Sequence, residues 1–208
     1  STAVLGLRYA RITSAPILAA IHSRPYSAIH FWSSLCALLT NGDTKMIDAQ
    51  GYAALDPTTP LAPFSFQRRA LGERDVQIEI LYCGVCHSDL HTARNEWNNT
   101  LYPSVPGHEI VGRVVAVGSA VSGFKVGDIA GVGCLVDSCR NCPSCGEGLE
   151  QYCESGFIGT YNGSAFGGSE NTLGGYSDTI VVDEKYVLGI SHTHNLAGLP
   201  PLLCAGIT

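Results

Sequence analysis

The 208 residues are 45% hydrophobic and 14% charged, with 24 Gly, 10 Pro and 9 Cys. That length and apolarity can build a core, which excludes wholesale disorder, and glycine and proline without a period exclude collagen. Apolar runs of only a few residues exclude a membrane-spanning helix, and a net charge of −6 gives no electrostatic reason to bind nucleic acid.

The charge is uneven along the chain. Residues 1–45 carry Arg8, Arg11, Arg24 and Lys45 against Asp43 alone, a net +3, while residues 46–208 carry a net −9. Met46, the single methionine, marks the seam. The opening segment holds no acidic residue before Asp43 and no sustained amphipathic helix. It reads as an extension outside the fold, an organelle transit peptide being the alternative. No secretory signal is convincing, since the apolar stretch at 17–21 is short and is interrupted by His22, Ser23 and Arg24. Reduced cysteines without such a signal point to the cytoplasm.

From Met46 onward the pattern is β-rich. Pro57 to Pro63 reads as a loop. Val76 to Ile80 alternates apolar and polar residues as a half-buried strand does, Ile110 to Val117 is a β-branched run closed by Gly118, and Tyr176 to Val182 reads as a further strand. One helix is expected from about Ser88 to Glu96, where a polar residue can cap it. Short strands punctuated by Gly and Pro suggest a mainly β barrel or sandwich with a few short helices rather than a βαβ sheet.

The most specific motif is Cys139-x-x-Cys142-x-x-Cys145-x7-Cys153. Four thiolates at this spacing can close a tetrahedral zinc site. The polar, turn-forming residues between them cannot build a core, so the metal would order the lobe, about residues 134–156, and supply its folding energy. Two disulfides are the competing reading, which the odd cysteine count disfavours. Asp137, Glu147, Glu150 and Glu154 flank the lobe with only Arg140 nearby, against a nucleic-acid-binding ribbon. A second set is looser: Cys86, His108 in Gly107-His108-Glu109, and Cys204 in Leu202-Leu203-Cys204-Ala205-Gly206. Two thiolates and an imidazole are the donors of a catalytic zinc with an open position. Taken singly, Cys204 reads equally as a small core residue and His108 as a structural histidine.

Gly107-His108-Glu109-x-x-Gly112-x5-Gly118-x-x-Val121 resembles the signature of zinc-containing alcohol dehydrogenases of the medium-chain superfamily. The runs Tyr82 to His91, Tyr102 to Glu109, Gly131 to Cys134, Leu173 to Tyr176 and Pro201 to Thr208 are similar to its cinnamyl-alcohol-dehydrogenase branch, which includes bacterial aldehyde reductases. The resemblance runs from about Met46 to Thr208. It implies a GroES-like, partly open β-barrel catalytic domain with a structural zinc lobe.

By the same resemblance, Cys86, His108 and Cys204 match the catalytic zinc ligands, and Cys139, Cys142, Cys145 and Cys153 the structural ones, which gives two zinc ions per chain. Asp89 matches the carboxylate that hydrogen-bonds the ligand histidine. Glu109 matches the acid beside the metal, Ser88 the hydroxyl that takes the alcohol proton, and His91 the histidine that relays it. His87 would face the cofactor pyrophosphate and Trp97 would form a wall of the substrate pocket. The implied activity is oxidoreduction of a small primary alcohol or aldehyde with NAD(P), NADP being the form expected. A homodimer of the complete protein is compatible with the family. No G-x-G-x-x-G follows a strand in this sequence. The span is therefore expected to stop before the dinucleotide-binding domain and to be inactive alone. The alternative is a non-catalytic zinc-binding module on the same scaffold.

Overall fold

The computed structural model describes residues 45–164, 171–191 and 195–206. The expected extension, residues 1–45, lies outside them except for Lys45. Among the described residues no helix is long and apolar enough to cross a membrane.

Ile47–Ala53 (β1) and Ala62–Arg68 (β2) form an antiparallel ribbon with Ile47 opposite Arg68 and Ala53 opposite Ala62. The expected loop is therefore one strand-end too long, because Pro63 lies inside β2 opposite Tyr52. The Tyr52 N–H turns away from β2 to the Tyr176 carbonyl, so Pro63 stands at a non-hydrogen-bonded position of the ladder and its missing N–H costs the ribbon little.

The main sheet has five strands. Asp75–Cys83 (β3), Ile110–Val117 (β4) and Ile129–Val132 (β5) lie side by side and antiparallel. Leu135–Asp137 (β6) and Ile158–Gly159 (β7) form a separate small pair. Thr179–Asp183 (β8) adds to β3 and Leu188–Gly189 (β9) to β5, giving the order β8-β3-β4-β5-β9. Among the described residues β8 and β9 do not pair, so the barrel is not closed, as the family resemblance implied. Register shifts between Gln77 and Ile78 and between Ile80 and Tyr82 bend β3 across its neighbour.

The apolar faces of these strands make the core. Val76, Ile78, Ile110, Val114, Val132, Ile180 and Val182 are buried together, with Leu135 and Val136 of β6 packed against them. Each such side chain contributes about 2 kcal/mol by leaving water.

Two predicted boundaries shift. The strand expected from Tyr176 starts at Thr179, because the N–H groups of Gly174, Gly175 and Tyr176 bond instead to the carbonyls of Val105, Gly107 and Pro106. The expected helix runs as His87–Ala93 (α1) and ends before Glu96, since Asn95 takes a left-handed backbone with φ of 54°.

Candidate metal centres

The lobe begins where β6 and β7 pin its base, Leu135 facing Gly159 and Asp137 facing Ile158. Between them Pro143–Gly146 forms one helical turn (α2), entered at Cys142, whose sulfur accepts the Cys145 N–H. A three-residue turn at Glu150–Tyr152 then presents Cys153. The four sulfurs of Cys139, Cys142, Cys145 and Cys153 come within 4.8 Å of one another. The Cys139 thiol is pushed down from 9.0 to about 6, chiefly by the Asn141 N–H and then the Cys142 N–H, against burial. Cys153 receives the Cys139 N–H at 3.4 Å and Cys145 contacts the Ser138 hydroxyl at 3.2 Å. Thiolates cradled by N–H and O–H donors are the form a closed zinc site requires, so the residues present fit the metal.

The second centre draws on three distant parts of the chain. Cys86 caps the start of α1. His108 follows Gly107, whose φ of 102° suits glycine and where a Cβ would meet Tyr176 at 2.7 Å and the Cys83 sulfur at 2.8 Å. Cys204 ends the turn Pro200–Leu203. The His108 Nε2 lies 3.2 Å from the Cys204 sulfur, and the two sulfurs of Cys86 and Cys204 are 3.8 Å apart. Donor atoms of Cys86, His108, Glu109 and Cys204 all fall within 4.8 Å of one another.

The electrostatics of this cluster favour a cation. Burial holds His108 below its ordinary value, with the Asp89 charge opposing, so the ring is the neutral imidazole a metal needs. Burial and the neighbouring thiols of Cys134 and Cys86 push the Cys204 thiol up. Glu109 is 2% exposed and raised by burial and by Asp89, and its Oε2 has no hydrogen-bond partner among the described residues. Two sulfurs, a neutral nitrogen and an unsatisfied carboxylate facing one another repel when ionised and become compatible around a divalent ion. This donor set fits zinc.

The remaining predicted residues surround this centre. Asp89 accepts the Cys86 N–H at 2.9 Å, the Gly107 N–H at 3.1 Å and the Tyr176 hydroxyl at 2.8 Å. Its nearest approach to the His108 Nδ1 is 3.8 Å, an ion-pair distance, so the hydrogen bond implied for that pair is not formed here. Ser88 Oγ lies 3.7 Å from the Cys86 sulfur. His91 is paired through Nδ1 with Glu96 and lies against His87 and Trp97, with ring centroids 4.8 Å and 5.0 Å away. No hydrogen bond joins Ser88 to His91 among the described residues, so the two ends of the expected relay are on one helix without direct contact. Trp97 is 52% exposed, an open edge rather than a closed wall.

Several participants escaped the sequence reading. Glu96 holds His91 from the turn after α1. Gly84 leaves room for Glu109, since a Cβ there would stand 2.0 Å from its Oε2. Tyr161 stacks on His108 with the rings 5.3 Å and 8° apart. Cys134 stands beside Cys204. All four depend on neighbours far away in sequence or on the far side of a turn, and no spacing encodes them.

Comparison with known proteins follows this geometry. A family model described as the alcohol dehydrogenase GroES-like domain matches residues 72–192. The chain is 52% identical over 170 residues to probable cinnamyl alcohol dehydrogenase 6 of Arabidopsis thaliana, covering 82% of this chain and 46% of that protein. It is 59% identical over 150 residues to the aldehyde reductase YahK of Escherichia coli, covering 72% and 43%. The solved structure of CAD from Helicobacter pylori complexed with NADP(H) superposes with a TM-score of 0.75 at 45% identity, over 79% of this chain and 47% of that one. The cinnamyl alcohol dehydrogenase SbCAD4 of Sorghum bicolor gives 0.74 at 48% identity, over 77% and 46%. The chain spans about half the length of the curated relatives it matches.

Proposed function

Because the chain belongs to the alcohol dehydrogenase GroES-like family, we propose that residues 46–208 are the zinc-binding catalytic portion of an NAD(P)-dependent oxidoreductase interconverting small primary alcohols and aldehydes. The observation that carries this reading is the convergence of Cys86, His108, Glu109 and Cys204 from separated elements onto one point. When bound, zinc supplies Lewis acidity to the alcohol or aldehyde oxygen and NADP takes or gives the hydride, neither of which a side chain can do.

The chain's own residues hold and move the proton. Ser88, beside Cys86 at the start of α1, is the acceptor for a hydroxyl proton delivered at the centre. A serine is too weak a base to keep it, so the proton passes on to His91, one helical turn away, and from there to solvent. With no direct contact between them, a water molecule completes that path. Glu96 fixes the His91 ring, and Trp97 and His87 shield its faces. Among the described residues, Glu109 keeps one oxygen free of hydrogen bonds, which leaves it able to join or leave the donor set as substrate exchanges. By the family resemblance, His87 is a residue that would face the dinucleotide's phosphates. The described cysteines are all free, which suits a reducing compartment such as the cytoplasm.

Metal analysis of the folded chain tests the reading: two zinc ions per chain are expected. A single zinc retained by the lobe sinks the catalytic centre and leaves the alternative of a non-catalytic zinc module. In a protein completed by the nucleotide-binding half of a relative, Ser88→Ala is expected to lower alcohol-dependent NADP reduction by about 100-fold. An unchanged rate removes Ser88 from the path.

A further inference from the structure

We propose that Tyr161 and Tyr176 are positioning residues of the Cys86, His108 and Cys204 centre, acting through Asp89 and the His108 ring. The proposal rests on reading that centre as a metal site.

Asp89 is 3% exposed, and the chain surrounds it with donors. Its Oδ2 accepts the Cys86 N–H and the Tyr176 hydroxyl, and its Oδ1 accepts the Gly107 N–H and faces His108 Nδ1. One carboxylate thus ties together the two backbone segments that carry Cys86 and His108. Tyr176 attaches a third, the stretch whose N–H groups bond to residues 105–107. Without that hydroxyl, Oδ2 loses a donor and the carboxylate is freer to turn about its last bond.

Tyr161 acts on the other side. Its ring lies parallel to His108, which fixes the imidazole plane with Nε2 toward Cys204 and Nδ1 toward Asp89. Burial first, then the Asp89 charge and its hydrogen bond to Asp89, hold the Tyr176 phenol well above the usual range, so it stays a donor to that carboxylate. Partners of this kind set the tautomer and direction of a ligand histidine, and losing one costs about 10- to 100-fold in metal affinity.

The test uses the full 208-residue chain loaded with Co²⁺, whose visible bands report ligand geometry, in competition with a chelator. Tyr176→Phe is expected to weaken cobalt binding at the Cys86, His108 and Cys204 centre about 10-fold, and Tyr161→Phe to leave it near the parent value. The cobalt held by the four-cysteine lobe is expected to stay unchanged. Tyr176→Phe added to Asp89→Asn is expected to cost nothing beyond Asp89→Asn alone, because the hydroxyl acts through that carboxylate. Tyr161→Leu, which loses the stacked ring, is expected to shift the cobalt bands, while Tyr161→Phe, which keeps it, leaves them in place. Cobalt affinity within twofold of the parent in Tyr176→Phe, cobalt bands unmoved in Tyr161→Leu, or a full additional loss in the double variant, overturns the proposal and spares the metal reading. A parent chain that loads cobalt at the lobe alone overturns both.

Discussion

Cys139, Cys142, Cys145 and Cys153 sit on one polar loop whose backbone N–H groups point at their sulfurs, whereas Cys86, His108 and Cys204 arrive from three elements and face one another at 3.2 to 3.8 Å. The loop brings little apolar surface of its own, and β6 and β7 hold only its base. Its order depends on what its sulfurs bind, so a metal there is folding energy. The second set hangs from the buried sheet and from α1, which keep their places through apolar packing. There the sulfurs and the Glu109 carboxylate disfavour one another's charge, and a metal supplies reactivity to a scaffold already built. The same element would serve as staple in one region and as reagent in the other.

That contrast breaks first, and most heavily, at Cys142. Its sulfur is both a donor of the lobe and the acceptor of the Cys145 N–H at the start of α2. Cys142→Ser is expected to abolish zinc at the lobe and to cost on the order of 4 kcal/mol. Metal analysis should fall from two ions to one while cobalt bands of the second centre persist. Loss of both metals together would mean that the two regions fold as one unit.

Gly84→Ala attacks the other side. The added Cβ would lie 2.0 Å from the Glu109 Oε2 and 3.0 Å from its Cβ, in the loop between β3 and α1. The carboxyl must swing away or the loop must shift, at about 1 to 3 kcal/mol. The prediction is weakened metal at Cys86, His108 and Cys204 with the lobe intact, read by chelator titration. Unchanged affinity would show that Glu109 has no part in the donor set.

Arg140 links the regions. It bonds Asp137 at 2.8 Å and Asp183 at 2.6 Å, with its guanidinium 5.5 Å over the Tyr186 ring. Burial raises Asp183, but the Lys185 N–H and the Arg140 side chain outweigh it and hold the acid below its ordinary 3.8. A depressed native value gives stability that is present above the ordinary pKa and is lost as pH falls through the native one. Arg140→Met should therefore cost about 1 kcal/mol near neutral pH, the guanidinium being partly exposed, and that difference should narrow below pH 4. Denaturant unfolding of parent and variant across that range measures it, and a constant difference would assign the loss to the Tyr186 stacking.

The local features were legible and the assembled ones were not. The lobe announces itself because its donors sit within 14 residues of one another, and β4 because five β-branched and two small residues are interrupted by Arg113 alone. Cys204 lies 118 residues from Cys86 in an apolar run, and only a family resemblance could separate it from a core cysteine. Pro63 in a strand and the Tyr176 segment drawn to residues 105–107 follow from tertiary pairing, which overrides local preference, whereas the early end of α1 is set locally by the left-handed backbone of Asn95. Tyr161 and Gly84 are legible only once His108 and Glu109 are in place.

The smallest effect changes no residue and asks whether the loop keeps its shape without metal. With the Asn141 and Cys142 N–H groups directed at its sulfur, Cys139 holds its thiol near 6, while burial and neighbouring sulfurs push Cys204 up. In the metal-stripped chain at pH 7, Cys139 is then mostly thiolate and Cys204 thiol. Alkylation by iodoacetamide, followed residue by residue with mass spectrometry, should label Cys139 first, because the thiolate is the nucleophile. The sign runs one way: a depressed thiol pKa keeps the charged form above about 6, and labelling should slow as pH drops through that value. Cys204 should label slowly throughout the neutral range. If Cys139 instead follows the profile of an ordinary thiol, rising toward pH 9, its N–H cradle exists only with the metal bound. The lobe would then owe its entire local order to the ion. A midpoint near 6 would mean that the base pinned by β6 and β7 pre-forms part of the site, and the contrast between the two regions becomes one of degree.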